Sequence, residues 1–293
     1  MNQTEYPDKY LHEEIQTQED IHVHFTCYTA PDEYNDAYVS NHWHNSMEIL
    51  YILDGEMELV TNNCSQILHK NDFAIINSRD IHSTKCLKRT TILLLQIPYQ
   101  FLKKNIPDYD HIRFEKNTQP KSTANSTEAI NIQFLLISMY NTYDAKSEGF
   151  SLRFISLLYE LLYELLQHFK VDVSQASITK TDRNLKRLET VISYVRQHYN
   201  ETISLDEVAG IVALNTEYFC RFFKKYMGMT FLEYVNSIRL TYVCKDLMNT
   251  DYSITDILAK HGFTNYKLFM RLFKEKYGCT PKEKRKAGTT YII

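Results

Sequence analysis

Apolar positions change rhythm twice along this chain, and each change marks a different architecture. Between about residues 20 and 100 they fall in runs of strand length. Met47 to Val60 partly alternates and is interrupted by Asp54-Gly55, a hairpin signal. Phe73 to Asn77 and Thr90 to Ile97 are short, rich in β-branched residues and bounded by polar clusters. Several short strands with turns between them predict a barrel or sandwich.

A polar break at 117–126 precedes two helical patterns. Ile130, Phe134, Ile137 and Asn141 mark the first. Ile155, Leu158, Leu162, Leu165 and Phe169 mark the second with the 3, 4 spacing of a heptad seam, widened by Leu157 and Leu161. Such a seam serves either packing on the barrel or a contact between two copies. Residues 171–182 are polar and lack helical period, which predicts an interdomain linker. From 183 onward the pattern is helical, beginning with a stripe of Leu185, Leu188, Val191, Ile192, Val195 and Tyr199.

Charge sharpens this division. Residues 1–182 carry 15 Lys and Arg against 25 Asp and Glu, whereas 183–293 carry 18 against 11. A basic module behind an acidic one suggests that the former meets a polyanion. Met1 to Asp20 has no apolar leader-like core, and no apolar run approaches the roughly 20 residues of a membrane span. Six dispersed cysteines without a CxxC pair read as reduced thiols. A cytoplasmic protein with no membrane partner is expected.

The basic half repeats itself. Shifted by 50 without a gap, Asp206 falls on Asp256, Ala209 on Ala259, Asn215 on Asn265, Phe219 on Phe269, Arg221 on Arg271, Phe223 on Phe273, and Gly228 on Gly278. Ser204 with Glu207, and Ser253 with Asp256, start a first helix in each copy. Asn215 and Asn265 cap a second one, and Gly228 and Gly278 end it. Thr230 to Glu233 and Thr280 to Glu283 are capping boxes for a third helix in each copy.

Away from the aromatic stripe, the second helix of copy one presents Asn215, Thr216, Glu217, Cys220, Arg221, Lys224 and Lys225. Copy two presents Asn265, Tyr266, Lys267, Met270, Arg271 and Lys274. A mid-helix Arg can take two acceptors of guanine, and Lys at the helix end suits phosphate. One such helix would be an ordinary solvated face. Two at fixed spacing in the basic half favour double-stranded DNA.

The residues at 185–287 resemble the AraC/XylS family of regulators. They carry its A-x-x-G-F, F-x-R-x-F-K and G-x-T-P patterns as Ala259 to Phe263, Phe269 to Lys274 and Gly278 to Pro281. The resemblance implies two helix-turn-helix units joined by a long helix, reading successive major grooves. Lys284 departs from it, standing where the family usually has Tyr.

His42-Trp43-His44, Glu48 and Gly55, with His82 later, resemble the first cupin motif on a small β-barrel. Asn71-Asp72 degrades the second motif. His42, Trp43, His44, Glu48, Tyr51 and His82, with Tyr38 nearby, are the candidate effector contacts; family analogy suggests a sugar or glycoside. No cofactor and no catalytic residue are assigned, although His42, His44, Glu48 and His82 are also a donor set for a divalent metal.

The expected fold is α+β: a cupin-like effector barrel at 1–117, a dimerising helical hairpin at 118–170, a linker at 171–182, and a double helix-turn-helix domain at 183–293. The expected function is a sequence-specific, effector-gated transcription regulator, not an enzyme. It would act as a homodimer, with RNA polymerase a further partner if it activates. The alternatives are a metal-dependent cupin enzyme with an appended DNA-binding domain, and an architectural DNA-binding protein.

Overall fold

The computed structural model describes residues 13, 15–30, 38–62, 64–115 and 127–289. The polar break at 117–126 lies outside the described residues. The chain forms two compact units that divide between Asp182 and Arg183.

The first unit is built on eight strands: β1 (His24–Ala30), β2 (Tyr38–His42), β3 (Met47–Asp54), β4 (Glu56–Thr61), β5 (Cys64–His69), β6 (Phe73–Ile76), β7 (His82–Cys86) and β8 (Thr90–Ile97). They form two antiparallel four-stranded sheets, ordered β1-β8-β3-β6 and β2-β7-β4-β5. Leu50, Ile52, Ala74, Ile76 and Ile92 of the first sheet form one core with Met57, Leu59 and Leu68 of the second.

Because side chains alternate across a strand, the other face of the first sheet presents Phe25, Met47, Ile49, Tyr51, Leu93, Leu95 and Ile97. These pack on helices. The helices are α1 (Tyr99–Asn105), α2 (Thr127–Ala145) and α3 (Phe150–His168). Strands β9 (Ile112–Phe114) and β10 (Lys170–Asp172) pair antiparallel beside them.

Three expectations are corrected here. Asp54-Gly55 is a corner between sheets, not a hairpin, since β3 and β4 pair in different sheets. Gly55 sits at φ 97°, and a Cβ there would lie 2.5 Å from the Arg89 carbonyl oxygen, so the corner requires glycine. The heptad seam of α3 is not a contact between copies. Leu158, Leu162, Leu165 and Phe169 are buried against the unit's own core. The α2 positions Ile130, Phe134 and Ile137 are instead exposed, while Ala129, Ile132, Leu136 and Met139 face inward. This helix is apolar on two sides, and periodicity alone selects the wrong one. Finally, the stretch expected as linker is β10 and the start of α4 (Gln175–His198). Ser174 caps it, its Oγ accepting from Ser177 N–H at 3.4 Å.

The second unit continues with α5 (Leu205–Ile211), α6 (Thr216–Met227), α7 (Phe231–Asn249), α8 (Ile254–Lys260), α9 (Tyr266–Tyr277) and α10 (Pro281–Thr289). Phe219 and Phe223 of α6 meet Phe231 of α7 edge-on, at 5.5 and 5.4 Å between rings. Phe263, Phe269 and Phe273 repeat the device on Leu240, Val243 and Leu247.

The repeat is not gapless. Val208, Ala209 and Val212 occupy the roles of Ile257, Leu258 and His261, one position off the expected register. Leu214 N–H donates to the Ala209 carbonyl as Phe263 N–H does to Leu258, whereas the caps Asn215 and Asn265 are 50 apart. The second turn therefore holds one extra residue.

Leu158→Ala should cost about 2–5 kcal/mol through the cavity it leaves. Urea unfolding should register that loss, while sedimentation shows the association state of the wild type. Dissociation without loss of stability would return the seam to a contact between copies.

Candidate DNA interface and a buried histidine cluster

In each copy a short helix and a capped one place a polar, basic face outward. Asn215 Oδ1 accepts from Tyr218 N–H at 2.8 Å and Asn265 Oδ1 from Leu268 N–H at 3.0 Å, so both asparagines start their helices. Gly228 and Gly278 end them at φ 70° and 68°. Thr230 and Glu233 form the expected capping box, and Thr280 with Glu283 does the same for α10. Ser204 makes no side-chain cap bond, and the Glu207 carboxylate accepts from Tyr194 Oη at 2.6 Å.

Phe219, Phe222, Phe223 and Met227 face the core, leaving Glu217, Cys220, Arg221, Lys224 and Lys225 exposed. Thr216 is half-buried and bonded to Asp206. On α9, Tyr266, Lys267, Arg271 and Lys274 are exposed. Met270 departs from expectation, since it packs half-buried against the core of the second copy. Tyr218, 46% exposed beside this face and stacked on Phe222, was missed by a reading that sought polar groups.

Some of the basic charge is structural. Arg239 donates to the Tyr199 and Glu201 carbonyls, both at 2.6 Å. Arg285 donates to those of Leu247 and Tyr252. Each closes the loop after a helix. Lys284 lies 5.5 Å over the Tyr277 ring, a cation–π contact where a packing ring was expected.

The second site lies between the two sheets of the first unit. His42 pairs with His82 across β2 and β7, their rings 4.1 Å apart. Glu48 pairs with Gln96 across β3 and β8, and Gln96 Nε2 donates to Glu48 Oε2 at 2.8 Å. His44, just past β2, places Nε2 2.9 Å from the same oxygen. All five side chains are buried.

The tautomers follow from the partners. The Nδ1 of His42, His44 and His82 each lies 2.9 Å from a backbone carbonyl, of Ser40, Ser46 and Asp80. A carbonyl only accepts, so each Nδ1 carries the proton. That arrangement leaves Nε2 of His42 and His82 as lone pairs, as in metal-bound histidines, whereas His44 Nε2 donates to the Glu48 carboxylate and would lose that proton on binding a metal. His82 Nε2 is buried without a hydrogen-bond partner, 3.8 Å from Glu48. Ligand atoms of the three histidines lie within 4.8 Å of one another. The donor set of imidazoles and one carboxylate fits a divalent transition metal.

Of the other expected effector contacts, Trp43 is buried. Tyr51 lies on the opposite face of β3, in the core against the helices, because odd positions of that strand point there. Tyr38 is 52% exposed. Gln96 was missed, although a polar residue closing the apolar run of β8 was its signal.

The cluster sets a pH dependence for the metal-free protein. Burial disfavours charge on Glu48, but the bond from His44 and the charges of His82 and His44 hold its carboxyl at about 2. Burial likewise opposes the His44 cation, yet Glu48 raises its pKa above 6.5. Burial lowers His82 to about 4. Between pH 4 and 6.5 the unfolded chain takes up a proton that folded His82 refuses, so stability rises with pH there. Above pH 6.5 folded His44 keeps a proton the unfolded chain releases, so stability falls. Chelator-treated protein should therefore show maximal urea stability near pH 6.5; a midpoint that climbs steadily to pH 8 would contradict this.

Comparisons with known proteins cover both halves of the chain. Family models match a helix-turn-helix domain over residues 208–287 and a cupin domain over 33–97. An uncharacterized HTH-type transcriptional regulator of Staphylococcus aureus strain COL is 26% identical over 242 residues, covering 82% of this chain. The match spans 31% of that relative's length. The uncharacterized HTH-type transcriptional regulator YdeC of Bacillus subtilis is 21% identical, covering 92% of this chain and 94% of its own. A solved protein of unknown function from Listeria innocua is 34% identical over 34% of this chain and 95% of its own, with a TM-score of 0.33. No helix among the described residues is long and apolar enough to cross a membrane. The chain thus carries a match to a cupin domain ahead of a match to a helix-turn-helix domain, the order that its resemblance to the AraC/XylS regulators implies.

Proposed function

We propose that this protein binds specific DNA sequences through α6 and α9 and that occupancy of the histidine cluster modulates that binding. The observation that supports sensing is the cluster itself. Three buried imidazoles have their Nδ1 protons committed to carbonyls and their Nε2 atoms converging. His42, His44 and His82 would hold a divalent metal with Glu48, and the metal would supply a Lewis-acidic ligand site or act as the effector.

A sugar effector draws less support, since Tyr51 faces away from the cluster and Tyr38 is exposed. No catalytic role is assigned to the barrel. The partners in this reading are double-stranded DNA and, where the outcome is activation, RNA polymerase. A homodimer would use a surface other than the α3 seam.

Arg221 and Arg271 are assigned to base edges. Arg221→Ala or Arg271→Ala should cost about 1–3 kcal/mol of discrimination at one base pair. Lys224→Ala or Lys274→Ala should weaken all sequences alike and flatten the salt slope by about one unit. Operator selection from a random pool checks both; unchanged base preference in both arginine variants would refute the assignment.

Sensing is tested by titrating chelated protein with Co(II) and measuring its DNA affinity. One tightly bound ion per chain, an absorption band lost in His82→Ala, and altered affinity are expected. Equal DNA affinity of loaded and stripped protein would remove the sensing role.

A further inference from the structure

Residues Asn77 to His82 form the turn between β6 and β7, and this turn touches two of the three histidines through consecutive residues. Arg79 sits at φ 68°, a left-handed conformation that a residue with a side chain keeps only where its neighbours enforce it. Its backbone N–H donates to the His44 carbonyl at 2.9 Å. The next residue, Asp80, offers its own carbonyl to the Nδ1 proton of His82, also at 2.9 Å. The Asp80 carboxylate accepts from Asn62 Nδ2 at 3.0 Å and from Asn77 N–H at 3.3 Å, and it pairs with Arg113. The turn is thus fixed to the barrel on one side and to the His44 backbone and the His82 ring on the other.

The Arg79 side chain leads away from the cluster. Its guanidinium lies 5.4 Å from the centre of the Tyr99 ring, its Nε is 3.4 Å from Asn45 Oδ1, and its Nη1 donates to Asp182 Oδ1 at 2.6 Å. Asp182 belongs to α4, which runs unbroken to His198. Two residues further along the same helix, Asn184 Nδ2 donates to the Tyr226 hydroxyl at 2.7 Å. Tyr226 is part of α6, the helix whose outward face carries Arg221 and Lys224.

We propose that Arg79 is the positioning residue that transmits occupancy of the histidine cluster to α4, and through Asn184 and Tyr226 to the reading helix. The proposal rests on the sensing role given above. A ligand that draws the Nε2 atoms of His44 and His82 together shifts the His44 carbonyl and the Asp80 carbonyl, the two anchors of this turn. The guanidinium moves with the turn, and Asp182 moves with the guanidinium. A partly exposed ion pair is weak by itself. Here that suits the task, because a switch needs a contact that the ligand can make or break.

The test uses the full chain, Zn(II) as the probe, and a DNA fragment selected for binding from a random pool. Wild type should change its DNA affinity on zinc loading by a factor on the order of 5–150. Arg79→Ala and Asp182→Asn should each bring that factor to roughly one while leaving zinc affinity within about twofold of wild type. The double charge swap Arg79→Asp with Asp182→Arg should restore much of it. Hydrogen exchange gives a readout independent of zinc: amides of residues 178–182 should exchange roughly tenfold faster in either single variant. If both variants kept the wild-type factor, Arg79 would not be the coupling residue. Unchanged exchange in both would show that no tether to α4 exists. Wild type that binds zinc yet shows no affinity change would overturn the sensing role itself, and the coupling with it.

Discussion

Strand β3 is buried on both faces, and the arrangement of the first unit depends on that double burial. Its odd positions, Met47, Ile49 and Tyr51, meet the helices; its even positions, Glu48, Leu50 and Ile52, meet the second sheet. A strand can satisfy both sides only if one layer lies over each. Helices α2 and α3 must therefore cover the first sheet, which is why the leucine seam of α3 is used within the chain. The same alternation sends one carboxylate, Glu48, into an apolar interior. Burying an unpaired charge there is costly, and the charge is tolerated because Gln96, His44 and His82 surround it.

The second unit solves a different problem. Short helices such as α5 and α8, with seven residues each, have little stability alone. Phe219 and Phe223 pin α6 to α7, Ile257 and Leu258 of α8 pack with Phe269, Phe273 and the α7 residues Leu240, Val243 and Leu247, and Arg239 and Arg285 close the loops between helices by binding carbonyls. With the apolar side and the helix ends satisfied internally, Arg221, Lys224 and Lys225 of α6 and Lys267, Arg271 and Lys274 of α9 are left exposed, whereas Lys276 is tied to α7 through Ser237 and Thr241. The first unit is acidic and the second basic, and α4 is the element that they share as continuous chain.

Much of this was legible in the sequence because its signals are local. The caps Asn215, Asn265, Thr230 and Thr280 and the terminal glycines act within four residues, and they lie where spacing placed them. The histidine pair and Glu48 were legible because they lie within seven residues of one another, although His44 stands just past β2 and Glu48 belongs to β3 of the other sheet. What failed depends on distant partners. Asp54-Gly55 has hairpin chemistry, but whether it closes a hairpin or turns a corner is decided by Arg89 and Thr90 packing against it. Helix α2 carries apolar residues on two sides, and only the sheet beneath selects Ile132 and Leu136 over Phe134. Met270 looks like a groove-facing residue until the core of the second copy is placed beside it. The start of α4 was hidden because its first turns are mostly polar, with Ile178 the one large apolar residue; a Ser cap, not an apolar stripe, begins it.

The central claim is that α6 and α9 read DNA together. Hydroxyl-radical and methylation footprinting of the full chain on a selected site tests this most directly. Two protected major-groove segments about 10 base pairs apart on one face of the duplex are expected, each altered by substitution in its own helix. A single protected segment, or protection that follows no sequence, would contradict it.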